Sequence, residues 1–426
     1  MKVRQAYRYE LKPNAAQRVL LAKHAGVARA AYSWALNRRI QLFSANDGRD
    51  RFSDAMQDHR AWNEWKKTNF PWWSEVSKCA PQEAFRDLDR AFKNFWQGRK
   101  AGLSVGFPKF RKKGRNDSFR FSTGAIRALG GRVQLPRLGM LRVKERTDVK
   151  GRISSATVSR EADRWFASFM VERERADPHR LDDEVIGIDL GVTNFATLSN
   201  GERLEAPRPL LKHLKRLKRR QRQHSRKQKG SSNRRKSALM LARLHRRIRC
   251  VRTDFLHKVT TRLAKTKRVI VVESLAVRNL TKSARGTTAK PGKRVQQKAG
   301  LNRSILDQGW GLFLWLLVYK VLWYGSSLIQ ASPFYPSSKT CSSCGLVRDE
   351  LPLAVRQWKC EHCGVVHDRD RNAAINLAKL ARSTESSSGI YARGDPSGGG
   401  TDPTPVYESR VVEAGSERTV SRAVTP

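Results

Sequence analysis

The sequence predicts a multidomain protein of mixed α+β and α/β class, on three observations. Hydrophobic periodicity is helical up to about residue 100, turns to period two over 118–174, then gives short apolar strands alternating with long helices. Each change of period falls at a polar or Pro/Gly-rich stretch. Two Cys-x-x-Cys pairs follow, ahead of a tail too polar to fold.

A strand over 3–11 alternates and is broken by Pro13. Asn14, with Gln17 three residues on, reads as a capping box that opens a helix. A helix over 81–97 sets Phe85, Leu88, Phe92 and Phe95 on one face. Trp62, Trp65, Trp72 and Trp73 are expected in the core of this helical block, base stacking being the less economical reading. Residues 107–115 mix aromatic and basic side chains without a period and end the block. Strands follow over 132–135, 140–144, 152–159 and 164–171, with turns at Pro136, Gly151 and Ala162-Asp163. They make a small antiparallel barrel or sheet that the 3–11 strand completes, so the helical block is an insertion.

After a polar linker over 176–183, an apolar strand over 185–189 ends in Asp189, and a hairpin turns at Asn200-Gly201. Residues 207–229 are densely basic. An amphipathic helix over 232–265 carries Leu241, Leu244, Ile248, Val251, Phe255, Val259 and Leu263 on one face. A second apolar strand, 269–273, ends in Glu273. Residues 281–300 read as a mobile Gly- and Lys-rich loop, suited to a lid. A helix is expected over 305–324, a strand over 327–331, the cysteine module over 341–363, a helix over 372–381 and a disordered tail over 383–426.

The chain carries 85 Lys+Arg against 38 Asp+Glu, a formal net charge of +47. Such a charge opposes compaction unless a polyanion neutralises it, and nucleic acid is the obvious one. No run reaches the ~18 apolar residues a membrane span needs; the nearest, 310–323, is interrupted by Lys320. The N-terminus lacks an apolar signal core, so a cytoplasmic protein is expected. There, six cysteines do not form a disulfide framework. Cys79 and Cys250 are expected to be ordinary buried or partly buried thiols.

Cys341, Cys344, Cys360 and Cys363 form two pairs separated by fifteen residues, the spacing of a four-cysteine zinc ribbon. Four thiolates fill a tetrahedral shell, so the zinc would be structural. His362 is expected at the surface, as a substitute ligand only in second place. Asp189 and Glu273 end buried strands, and Asp370 opens a helix. Three acids from three elements can hold two Mg²⁺ ions ~4 Å apart for phosphodiester cleavage. Singly, each has a plainer role: a turn acceptor, a solvent-facing end, a helix cap.

The order Gly187-Ile-Asp189-Leu-Gly191, then Val-Val-Glu273, then cysteine pairs running into Asp368-Arg-Asp370-Arg-Asn-Ala-Ala, resembles the TnpB family of insertion sequences. That family is similar to the type V CRISPR effector nucleases. The likeness extends to residues 11–17, 106–113, Gln308-Gly-Trp-Gly and 336–341, and spans about residues 1–381. It implies an RNA-guided DNA endonuclease with an RNase H-like (RuvC-type) domain at 181–337 and 367–382, and a zinc ribbon inserted at 338–366. It implies a β-barrel wedge domain at 1–12 and 105–180, carrying a helical recognition insertion at 13–104. Catalytic roles fall on Asp189, Glu273 and Asp370, with Asp368 the less favoured third acid. Lys78 and Gln82 would contact the motif beside the target DNA. The cofactors would be one structural Zn²⁺ and two catalytic Mg²⁺, with Mn²⁺ as a substitute. The partners would be a guide RNA from the transposon end and target DNA, held by a monomer on the bacterial nucleoid, with no membrane. The rival expectations are a transposase or transposition accessory protein, a nuclease-inactive RNA-guided regulator, and a guide-independent RNase H-like nuclease.

Overall fold

The computed structural model describes residues 1–45, 53–179, 184–352 and 354–386, with side chains to 381. The chain divides into two compact units, Met1–Ala176 and a second beginning at Asp177. The expected tail lies outside the described residues from 387 on.

The first unit starts with β1 (Lys2–Lys12) and α1 (Ala15–Ala45). The capping box forms as read: Gln17 N–H donates to Asn14 Oδ1 at 2.8 Å, and Asn14 N–H to Gln17 Oε1 at 3.1 Å. Then come α2 (Ala55–Asn69), a 3₁₀ turn (Pro71–Glu75) and α3 (Cys79–Lys100). Phe85, Leu88 and Phe92 of α3 are buried, as the period requires, and Phe95 is half-buried. Trp62 is fully buried with Trp65 against it, and Trp72 packs on the same core through Phe70, but Trp73 is exposed, with Lys66 4.2 Å from its ring. The sheet strands are β2 (Ser118–Phe121), β3 (Arg127–Leu135), β4 (Gly139–Thr147), β5 (Arg152–Glu161) and β6 (Arg164–Glu174).

These strands pair with β1 in the order β2-β5-β6-β1-β4-β3. The sheet is an open half-barrel: among the described residues its edges, β2 and β3, pair with β5 and β4 and not with each other. Of the barrel or sheet expected from sequence, the structure shows the open form. Leu21, Ala25 and Ala28 of α1 and Ala84 and Leu88 of α3 share one core with Phe119, Phe121, Val133 and Leu141. Helices cover the apolar face that closure would otherwise bury.

The second unit opens with β7 (Val185–Leu190), β8 (Ala196–Leu198) and β9 (Arg203–Leu204). Two helices follow, α4 (Pro209–Ser225) and α5 (Ser232–Thr266), then β10 (Val269–Glu273) and a one-turn α6 (Val277–Leu280). The proposed loop is shorter than read: α7 (Val295–Gln308) already begins inside it. Gly309, at φ +75°, separates α7 from α8 (Trp310–Tyr324), where one helix over 305–324 was expected. β11 (Ser327–Ala331), β12 (Gln357–Lys359), β13 (Val366–Asp368) and α9 (Arg369–Ser386) complete the unit.

The main sheet runs β11-β10-β7-β8-β9. β7, β8 and β9 form an antiparallel meander, and β10 and β11 lie parallel to β7. Ile186, Ile188, Ile270 and Val272 face the core built with α5 and α8. Val269 and Val271 face Leu377 and Ala381 of α9. By length and composition, Val295–Tyr324 is apolar enough to cross a membrane, but half of that window is buried in the protein. Lys320 in it is 4% exposed, and burial pulls its amine down to about 8. It donates to His257 O at 2.8 Å and to Thr260 and Thr261 Oγ1 at 2.7 Å, as a core helix would.

Candidate active site and metal centre

Strand parity brings the acids together. Side chains alternate across a strand, so Asp189 follows Gly187 on the side of β7 away from Ile186 and Ile188. Glu273 follows Val271 to the same side of β10 by the same rule. The parallel ladder ends at Val272↔Ile188. Glu273 and Asp189 therefore come next, as neighbours at the carboxyl ends of adjacent strands, facing α9.

Gly187 lets α9 in. A Cβ at residue 187 would stand 1.9 Å from Ala374 O and 2.6 Å from Ala378 N. From Ala374, Asp370 lies four residues back along α9, about 6 Å. From Gly187, Asp189 lies two residues on, about 6.6 Å. The two carboxyls thus lie toward the same sheet end, near enough for their charges to act on each other. Burial pushes the Asp189 carboxyl well above the usual carboxylate range, and the charges of Glu273 and Asp370 push it further. Arg369 and Arg356 oppose the rise only in part. Burial also raises Glu273, against the Ser337 hydrogen bond and Arg369, with Asp370 adding to the rise.

Asp368 is held elsewhere. It accepts from Arg371 N–H at 2.9 Å as a cap of α9 and pairs with Arg203 at 3.0 Å. Arg356 approaches Asp370 at 3.5 Å. Ser337, only 3% exposed, donates to Glu273 Oε1 at 2.8 Å. Asn372 and Asn376, one turn apart on α9, hold the chain that carries Ser337. Asn376 Nδ2 donates to Ser337 O at 2.8 Å and Thr340 O at 2.7 Å, and Asn372 Nδ2 donates to Thr340 O at 2.7 Å. Asn372 Oδ1 accepts from Ser342 N–H at 2.8 Å. Gln308 ties down the turn after β7 by donating to Val192 O at 2.9 Å. In the sequence Gln308, Ser337 and Asn372 stand out only as parts of motifs, and Asn376 does not stand out at all. The signal was the i, i+4 pair of asparagines on one helix face.

The four thiols of Cys341, Cys344, Cys360 and Cys363 lie within 4.8 Å of one another. Among the described residues this is the one group gathered so tightly, so the three carboxylates stand further apart. The two knuckles match. Cys341 N–H donates to Leu346 O at 2.8 Å and Cys360 N–H to Val365 O at 2.9 Å. Gly345 and Gly364 follow each pair at φ +83° and +72°. Burial raises the Cys341 thiol, but backbone N–H groups of Cys344 and Ser343 bring it down to about 6. Backbone N–H groups of Leu346 and Val365 lower Cys344 and Cys363, but desolvation and hydrogen bonding to the other thiols raise both, so without a metal the four do not all ionise. His362 is exposed. The histidine beside the cluster is instead His367, whose Nε2 is 3.0 Å from Cys341 Sγ and whose ring lies against Trp358. Cys79 is buried as expected, but Cys250 is exposed.

Lys78 is the N-cap residue of α3 and Gln82 lies in its first turn, where Gln82 N–H donates to Lys78 O at 3.4 Å. Lys78 is exposed and Gln82 half-buried. His24 fixes the turn before them: its Nδ1 is 2.8 Å from Leu20 O, and its Nε2 accepts from Ser77 N–H at 3.0 Å. Burial lowers the His24 imidazole, which suits this neutral tautomer.

Three family descriptions match the chain: "Probable transposase" over residues 168–284, "Cas12f1-like, TNB domain" over 310–377 and "Helix-turn-helix domain" over 1–47. Over the last of these the described residues form one strand and one long helix. "Putative RNA-guided DNA endonuclease InsQ" of Escherichia coli (strain K12) is 37% identical over 380 residues, 88% of this chain and 92% of that protein. "Putative RNA-guided DNA endonuclease" of Streptomyces pristinaespiralis is 37% identical over 382 residues, 88% of this chain and 89% of that protein. A solved Cas12f1-sgRNA-target DNA complex aligns at TM-score 0.45 and 13% identity over 88% of this chain and 99% of that one, too loosely to carry an argument.

Proposed function

The chain belongs to the TnpB family, and on that premise we propose that it is a DNA endonuclease guided by a bound RNA, with Asp189, Glu273 and Asp370 as its cutting site. The observation that carries the reading is the register that sets Asp189 and Glu273 side by side at the ends of β7 and β10, with α9, which bears Asp370, seated against β7 at Gly187. Meander and parallel strands in the order β11-β10-β7-β8-β9 support an RNase H-like, RuvC-type domain. The half-barrel of the first unit is proposed as the wedge that grips the guide RNA. Its helices are proposed as the recognition block, with Lys78 and Gln82 touching DNA beside the target.

The donor sets fit the expected metals. Four thiolates suit one structural Zn²⁺. Three hard carboxylate donors with uncompensated repulsion suit Mg²⁺ or Mn²⁺. Bound there, divalent ions supply an activated water and a stabilised leaving oxygen for hydrolysis. The protein's own part is positional. Ser337 fixes one oxygen of Glu273 and leaves the other free. Gly187 sets the depth of α9 and hence of Asp370. Sequence choice along the target is left to base pairing with the guide, while the +47 chain holds phosphates and needs few base contacts beyond the adjacent motif.

The test uses the protein purified with its co-purifying RNA. The complex is expected to linearise a plasmid matched to that RNA in Mg²⁺, and Asp189→Ala to abolish cutting while RNA stays bound. Joining of transposon ends in the same mixture would favour a transposase. Occupancy of matched DNA without cutting would favour a regulator.

A further inference from the structure

Phe334 is 93% exposed, more than any other large apolar side chain among the described residues. A single apolar side chain at a surface is ordinary; what marks this one is where its loop begins and ends. Ala331 closes β11 and pairs in register with Glu273. Ser337 hydrogen-bonds the Glu273 carboxylate at 2.8 Å. The intervening chain leaves at one contact with Glu273 and returns at another. Phe334 is three residues from each anchor, so by chain reach its Cα lies within roughly 11 Å of both.

The loop is also stiff. Pro333 and Pro336 each fix a φ angle. Tyr335 N–H donates to Ser332 O at 3.0 Å, and Phe334 N–H to Ser332 Oγ at 3.3 Å. The Tyr335 hydroxyl donates to Asn376 O at 3.1 Å on α9. The backbone on both sides of the ring is pinned while the ring itself stands in water.

We propose that Phe334 is a stacking platform for a nucleobase of the strand being cut. A strand crossing the acids offers the protein phosphates and base faces. The carboxylates with their ions take the phosphate, and the ring has only a face to offer. Stacking accepts any base, which suits a nuclease whose sequence choice lies in the guide. The Cα that carries the ring stays within roughly 11 Å of both anchors beside Glu273, so the stacked base is expected a few nucleotides from the scissile phosphate. A base on the ring is out of its duplex, so the strand is unpaired where it is cut. This inference rests on the proposed function.

The test is single-turnover cleavage of matched DNA by the RNA-loaded full chain, with one abasic nucleotide stepped through three positions on each side of the cut. Phe334→Ala is expected to slow cutting about tenfold, within a range of roughly 5- to 100-fold. Phe334→Trp and Phe334→Tyr should restore the rate, and zinc content and thermal unfolding should not change. At one position the abasic substrate should slow the unmodified protein by the same factor and Phe334→Ala no further, the non-additivity of a direct contact. Equal abasic penalties in both proteins, or an unaltered rate in Phe334→Ala, overturn the platform while leaving the nuclease reading intact. Failure of the unmodified complex to cut, alongside an equally inert Asp189→Ala, overturns both.

Discussion

Asp368 accepts the Arg371 N–H and pairs with Arg203, whereas Asp370, two residues on, adds its charge to Asp189 and Glu273. The two aspartates should separate in a mutant pair. Asp368→Ala loses a cap, worth about 1 kcal/mol, and should lower thermal stability while most cutting remains. Asp370→Ala should cut roughly a thousandfold more slowly, at several kcal/mol for a lost metal ligand and tenfold per 1.36 kcal/mol. Equal loss of cutting in both would reject the assignment. Asp189 also fixes a pH dependence. Its folded pKa lies above the unfolded value, so the metal-free fold holds that proton more tightly than the unfolded chain. The associated stability is full below the ordinary carboxylate range and is lost as pH rises through the raised value. Asp189→Asn should therefore unfold at higher temperature than the unmodified protein near pH 8, by about 2–4 °C per kcal/mol relieved, and equally near pH 4. A melting temperature that does not separate the two proteins near pH 8 would remove the claim that burial and the neighbouring acids hold the Asp189 proton. At this scale the sequence was readable where a role followed from position: an acid ending an apolar strand, a cysteine at ribbon spacing. It was silent on Ser337 and Glu273, 64 residues apart, because their contact exists only once the loop after β11 returns to the sheet.

At the scale of elements, the site depends on how deeply α9 seats against β7. Gly187→Ala would set a methyl against backbone that cannot step aside. The expected cost is about 1–3 kcal/mol or more, with cutting reduced on the order of a hundredfold by displacement of Asp370. Thermal unfolding and cleavage rate together check this, and a Gly187→Ala protein that cuts normally would show that α9 does not set the geometry. The ribbon leads directly into α9 through β13, so zinc should matter for cutting as well as for folding. Elemental analysis should give one zinc per chain. Cys360→Ser should release it, lower the melting temperature and slow cleavage; a zinc-free variant with full activity would refute that coupling. Strand and helix positions were largely legible, because burial on one side leaves a period in the sequence. The start of α7 was not: Lys, Gln and Gly between 295 and 300 look like a loop until Gly309 is seen to take the break instead. Whether the sheet of the first unit closes was not legible either, since alternation reports a buried face but not whether strands or helices cover it.

At the scale of the molecule, a formal charge of +47 makes the free protein a poor description of the working one. Bound RNA should raise the melting temperature, and affinity should fall steeply with salt, roughly a thousandfold between about 50 and about 200 mM if six or more phosphates are neutralised. Binding insensitive to salt would mean that the basic surface is solvated and idle. Charge and order of motifs were visible from composition and spacing. The convergence of Asp189, Glu273 and Asp370 was not, because 181 residues separate the first from the last and only the register of parallel strands under one helix joins them. That convergence is tested most directly by titrating Mn²⁺ into the RNA-loaded protein and into its Asp189→Ala, Glu273→Ala and Asp370→Ala variants, with bound Mn²⁺ read by electron paramagnetic resonance. A shared site predicts that each single replacement removes the tight Mn²⁺ signal that the unmodified protein shows. Undiminished Mn²⁺ binding in any one of the three would mean that its carboxylate does not belong to a common centre.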